Sequence, residues 1–125
     1  MNLKPYVIID FDNTIAPHDE NGNPKEPYPG ALKALSQLRK LGMKVIIHSA
    51  RYSSYLTDKN KEINNLKSYL YKHKVPYDGI WPEDKLIGIA YVDDKAVPFK
   101  GNWDQTRDMI IGRFKKEQQK QKEKT

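Results

Sequence analysis

Asp10 and Asp12 stand two residues apart at the end of the apolar run Tyr6 to Ile9. In extended backbone that spacing projects both carboxylates to one side while Phe11 points to the other. Such a pair suits acid work on a phosphate: one carboxylate attacks phosphorus to form an acyl phosphate, and the second protonates the leaving oxygen and then activates water. The two must differ in protonation, which a shared site with a metal can arrange. Further polar groups follow other apolar runs: Ser49 and Arg51 come after Met43 to Ile47, and Asp93-Asp94 ends Ile87 to Val92. Arg51 offers a charged donor to an anion. The chain has no cysteine, which excludes disulfides, thiolate metal sites and cysteine-based phosphatase chemistry and fits a reducing compartment.

These groups need elements to hold them. Tyr6 to Ile9 is short, β-branched and apolar, the pattern of a strand buried on both faces. Ile15 to Tyr28 is rich in Pro, Gly, Asn and charge and predicts an irregular loop over the end of that strand. After Pro29, the leucines at 32, 35, 38 and 41 predict an amphipathic crossover helix that Gly42 stops. Met43 to Ile47 reads as a second strand, residues 58–74 as a second helix, Ile80-Trp81 as a very short third strand, and Ile87 to Val92 as a buried fourth. Trp103 to Phe114 reads as a closing helix. Alternating strands and helices predict a three-layer α/β/α, Rossmann-like, mostly parallel sheet with right-handed crossovers and helices on both faces. In such sheets ligands bind beyond the carboxyl ends of the strands, which is where Asp10, Ser49 and Asp93 stand. One domain, 1–114, is expected, followed by a basic tail, 115–125, that is frayed or disordered. The net charge is +6, and the tail's five Lys against two Glu supply half of it.

At this point the sequence resembles the haloacid dehalogenase superfamily of phosphohydrolases, whose first motif is an apolar strand followed by Asp-x-Asp-x-Thr; VIIDFDNTIA fits it. The resemblance implies that Asp10 is the nucleophile and Asp12 the general acid and base. It also implies a magnesium ion held by the Asp10 side chain, the Asp12 backbone carbonyl and the carboxylates Asp93 and Asp94, with Thr14 bracing the loop. Asn13 stands where the family often has Gly, and Asn also tolerates unusual backbone angles. Ser49 in VIIHSAR matches the second motif and would hold a phosphate oxygen. Lys85 matches the third by position and, with the metal, would neutralise the transferring phosphoryl group. The matched motifs run from Asp10 to Asp94. Neither insertion point of a cap domain has room for one, so the resemblance is to capless members.

Each residue also has a plainer reading. Asp-x-Asp after a strand is often a turn or helix cap. A calcium loop starting at Asp10 would need Gly and Glu where the chain has Ile15 and Asn21, and a helical flank where it has the apolar run Tyr6 to Ile9. Ser49 alone would be an ordinary cap, Asp93-Asp94 a solvated strand end, and Lys85 one of eighteen lysines. His18 and His48 read as structural, His48 as a satisfied imidazole. Tyr52, Tyr55 and Trp81 could stack on a base, though aromatics in short loops mostly pack.

The leading expectation is a magnesium-dependent phosphomonoesterase acting on a small phosphorylated metabolite or nucleotide. The alternative is a 3′-phosphatase on nucleic-acid ends, kept by the basic tail and Arg51, since the chain is also similar to the phosphatase domain of polynucleotide kinase-phosphatases. From another class, a phospho-receiver would need its Asp after the middle strand, where this chain has Ser49, and an inactive binding module would not need every catalytic position filled. No apolar stretch spans a bilayer and no secretion signal precedes the first strand, so a cytoplasmic protein is expected. An open crevice could be covered by a neighbouring subunit.

Overall fold

The computed structural model describes residues 3–124; Met1, Asn2 and Thr125 of the expected domain and tail lie outside the described residues. The two β-branched runs form β1, Tyr6–Ile9, and β2, Lys44–Ile47, and a third strand, β3, is Gly79–Ile80. They pair in parallel in the order β1-β2-β3, with Val7 opposite Val45, Ile9 opposite Ile47 and Ile46 opposite Gly79. One face of the sheet carries buried Ile9, Val45 and Ile47, whereas Tyr6, Ile8 and Lys44 on the other face are exposed, Ile8 by 61%. The second helical layer expected over the sheet is therefore not formed at Tyr6 and Ile8.

The first helix, α1, spans Ala31–Lys40 and buries Ala31, Ala34, Leu35 and Leu38 at helical spacing. Gly30 at its start has φ 83, a left-handed geometry that glycine adopts without penalty. At its end Gly42 N–H bonds the Arg39 carbonyl and Met43 N–H bonds the Leu38 carbonyl, so a Schellman turn feeds the chain into β2. Leu41, the last of the expected leucine stripe, is consequently exposed. The second helix, α2, spans Lys59–Lys72; the Asp58 carboxylate accepts from Lys61 N–H at its start.

The third helix, α3, spans Trp103–Glu123, with the Asn102 side chain accepting from Gln105 N–H. It is longer than the expected Trp103 to Phe114. Phe114 is the last residue packed against the core among the described residues, and the helix continues beyond it to Glu123, Lys, Glu and Gln being good helix formers. No helix among the described residues is long and apolar enough to cross a membrane.

The largest departure lies at Ile87 to Val92, which forms no strand. Ile89 and Val92 are fully exposed, and β1 pairs only with β2. The run has the β-branched composition of a strand, but strand propensity acts through packing against neighbours, and here the segment has no ladder partner.

The core centres on Phe11, Leu35, Leu38, Leu66, Leu70 and Trp103, with Phe11 packed edge-on to Tyr69 at 5.1 Å between ring centroids. The Tyr69 hydroxyl donates to the Lys25 carbonyl at 2.5 Å. Burial, then the nearby Glu26 charge, pushes that hydroxyl up from 10.0 to about 12. A group whose folded value is raised contributes stability fully below its unfolded value and loses it as pH rises through the folded one. Thermal stability should therefore fall between pH 10.0 and about 12, and Tyr69→Phe should flatten that part of the curve. Circular dichroism melts across this range check it; an unchanged slope in the variant would exclude Tyr69 as the source.

Candidate active site

The site lies at the carboxyl ends of β1 and β2. Beyond Ile9 the chain alternates half-buried Asp10, buried Phe11 and half-buried Asp12, so the aromatic ring anchors the two carboxylates from below. Asn13 then takes a left-handed φ of 58, the conformation Asn tolerates. The Phe11 carbonyl accepts from the N–H groups of Thr14, Ile15 and Ala16, closing a tight turn. Thr14 is held through its carbonyl, which accepts from the Trp103 indole N–H at 2.8 Å, so α3 pins the turn that follows the two carboxylates. In the following loop Asp19 accepts from Asn21 and Asn23 N–H. The Asn23 backbone bond in particular holds its carboxyl below the usual range.

Each carboxylate of the pair faces a cation. The Lys85 Nζ stands 3.4 Å from Asp10 Oδ1 and also donates to the His48 carbonyl at 3.4 Å. The Arg51 guanidinium grips both oxygens of Asp12, Nη2 at 2.5 Å and Nε at 3.2 Å, and reaches the Gly22 carbonyl at 2.8 Å. A planar guanidinium holds a carboxylate in this two-point way, which a lysine cannot. Arg51 also lies 5.7 Å from the Phe11 ring centroid. Two residues expected to touch phosphate are thus seated on the two carboxylates.

Ser49 is buried and caps the 3-10 turn Ala50–Tyr52: its Oγ accepts from Arg51 N–H at 3.1 Å. The plainer reading of Ser49 as a cap is met, and the cap is what aims Arg51. Tyr52, fully buried, accepts from Ser49 N–H and donates to the Trp81 carbonyl. Burial, opposed by the Ser49 N–H and reinforced by the Asp10 charge, pushes its hydroxyl up. Tyr52 is a packing residue, while Tyr55 and Trp81 are exposed. His48 is structural, its Nε2 donating to the Glu83 carbonyl at 3.0 Å.

Sequence reasoning missed the contacts that place Lys85. Ser53 Oγ accepts from Lys85 N–H at 2.7 Å and donates to the Lys85 carbonyl at 2.8 Å. The Asp84 carboxylate accepts from Ser54 N–H at 2.9 Å and Ser54 Oγ at 2.6 Å, and Lys59 Nζ lies 2.5 Å from it. The Lys59 bond, then those of Ser54, hold Asp84 well below the ordinary carboxylate range. The only signal in the sequence was a pair of hydroxyl residues just after Arg51.

The structure does not bring Asp93 and Asp94 to this site. They lie in an exposed turn, where Asp93 accepts from Lys95 N–H at 2.8 Å and Asp94 pairs with Lys95 Nζ at 3.3 Å. Because the fourth strand is not formed, nothing carries them alongside Asp10. Among the described residues no three His, Asp or Glu side chains converge closely enough to hold a metal ion. With Asp10 paired to Lys85 and Asp12 to Arg51, the donor set in this arrangement does not fit the expected magnesium.

Fold and site together define an α/β protein with a three-stranded parallel sheet, three helices and two cation-paired carboxylates at the sheet's carboxyl end, an architecture compatible with a Rossmann-like fold. A crystal structure of an MCSG target from Vibrio cholerae is similar, with a TM-score of 0.65 and 26% sequence identity over 92% of this chain and 99% of that chain. The likeness covers nearly all of both chains, so it is the fold as a whole and not a shared fragment that recurs. No family model matches the chain, and no curated protein matches it.

Proposed function

We propose that this protein is a capless phosphomonoesterase of the haloacid dehalogenase type, acting through an aspartyl phosphate on Asp10. The observation that carries this reading is the meeting of Asp10 with Lys85, remote in sequence, beside the Asp12–Arg51 pair. A nucleophile, an acid and base, and two cations for a dianionic phosphate then stand at the strand ends where α/β sheets bind ligands.

In this mechanism the phosphate oxygens take up the Lys85 ammonium, freeing the Asp10 oxygen to attack phosphorus. Asp12 first takes up a proton from solvent, and the bond to the leaving oxygen breaks as Asp12 passes that proton to it. Arg51 must release one Asp12 oxygen for that transfer, and its freed N–H groups then face the phosphoryl oxygens. Water next attacks the phosphorus, giving its proton to Asp12, and the Asp10 carboxylate departs from the released phosphate. Positioned charge is the main source of rate in such reactions.

Magnesium belongs to the proposal only through the resemblance, and no step above passes through it. Chelation separates the two sources of positive charge. The resemblance predicts that EDTA abolishes release of phosphate from an aryl phosphate and that magnesium restores it. Turnover that survives EDTA would leave the neutralising role to Lys85 and Arg51.

Small phosphorylated metabolites or nucleotides are favoured over nucleic-acid ends. Gln121 Nε2 lies 3.5 Å from the Leu3 carbonyl, while Trp103 at the other end of α3 touches Thr14. Since 21 helical residues span about 30 Å, the basic end of α3 sits at the amino end of β1, away from Asp10. Arg51, the other support for nucleic acid, would serve any phosphate alike and does not favour that class. A screen of aryl phosphate, phosphorylated metabolites, nucleotides and 3′-phosphorylated oligonucleotides tests the preference. Fastest turnover of the oligonucleotide, weakening steeply with salt, would reverse it. A receiver remains disfavoured, because the central strand β2 leads into His48-Ser49 rather than an aspartate.

A further inference from the structure

A lysine on a four-carbon stem has many rotamers, so its ammonium is placed only as well as its backbone is held. Lys85 follows β3 in a segment with no regular structure, yet its main chain is held by a side chain 32 residues earlier in the sequence. One fully buried hydroxyl, Ser53 Oγ, serves both main-chain groups of Lys85, using its proton for the carbonyl and a lone pair for the N–H. The next residue, Ser54, binds both oxygens of Asp84, the residue before Lys85, through its N–H and its hydroxyl. Lys59 at the start of α2 braces the same carboxylate and the Pro82 carbonyl at 2.6 Å. Ser53 directly follows the 3-10 turn that Ser49 caps and that carries Arg51. One segment, 49–54, therefore sets both cations of the site.

We propose that Ser53 and Ser54 are positioning residues for phosphoryl transfer, holding Lys85 so that its ammonium stands at Asp10. The inference rests on the reading of Asp10 and Lys85 given above. Neither serine touches the reacting atoms; both act through Lys85. Displacing a catalytic group by about 1 Å costs on the order of a hundredfold in rate. Ser53→Ala should therefore lower kcat by about ten- to a hundredfold, and Ser54→Ala, at an exposed position where folding is not at stake, should lower it in the same direction.

The discriminating measurement is a double-mutant cycle on aryl phosphate turnover. If the serines act through Lys85, adding Ser53→Ala or Ser54→Ala to Lys85→Ala produces no further loss of kcat. The same loss in both backgrounds, or turnover by the single variants within about twofold of wild type, would overturn the proposal. A second readout needs no activity: with lysines labelled by 13C reductive methylation, the Lys85 resonance should shift and broaden in Ser54→Ala. An unchanged resonance would count against the clamp. Absence of turnover in the wild-type protein would instead remove the phosphatase reading, while the resonance still tests whether the serines place Lys85.

Discussion

Asp10→Asn is expected to reduce aryl phosphate turnover by at least about a thousandfold, the scale of a lost core catalytic group. The substitution keeps the side chain's size and removes the charge and the attacking oxygen. It also leaves Lys85 without its ion-pair partner at 3.4 Å. Asp10 is 40% exposed, so the pair adds little to stability, and the variant should fold and melt like wild type. That separation of activity from stability is the informative part. Steady-state kinetics beside a thermal melt checks it, and a variant that loses both together would point to a structural role for Asp10.

Phe11→Ala should have the opposite signature, a large loss of stability at the centre of the turn that carries Asp10 and Asp12. The ring is fully buried and meets Tyr69 edge-on, with planes 80° apart. Removing a buried Phe costs about 3–5 kcal/mol, against a total of about 5–15 kcal/mol for a typical domain. Its backbone carbonyl anchors the turn through three N–H groups, so loosening the ring also loosens Asp10 and Asp12. Phe11→Leu, which retains most of the volume, should cost about 1 kcal/mol. Urea denaturation of the three proteins measures both, and equal midpoints for wild type and Phe11→Ala would show that the ring does not anchor the turn.

The parts of the fold legible in the sequence were those written locally. YVII and KVII carry strand composition, the alternation of Asp10, Phe11 and Asp12 gives one buried and two accessible side chains, and Gly42 stops α1 where its left-handed turn is needed. Asn13 took the positive φ its side chain tolerates. What failed depended on partners distant in sequence. Ile87 to Val92 has a strand's residues but no ladder beside β1, and Asp93 and Asp94 stayed away from Asp10 with it. The end of α3 ran on to Glu123 because propensity, rather than core contact, sustains an exposed helix.

The candidate site was legible in identity more than in arrangement. Asp10, Lys85, Asp12 and Arg51 come together as two ion pairs. Ser49, expected on phosphate, also caps the turn that aims Arg51. Ser53 and Ser54 showed only as a pair of hydroxyl residues after Arg51, because a serine bonded to the backbone of a residue far along the chain leaves no periodic trace.

The most direct test is to find the covalent intermediate. Wild-type protein mixed with excess aryl phosphate and quenched in acid within one turnover should carry a single acid-stable, base-labile phosphoryl group, which peptide mass spectrometry locates on Asp10. A phosphoryl group on any other residue, or turnover that proceeds with no label on Asp10 at any quench time, would contradict the account.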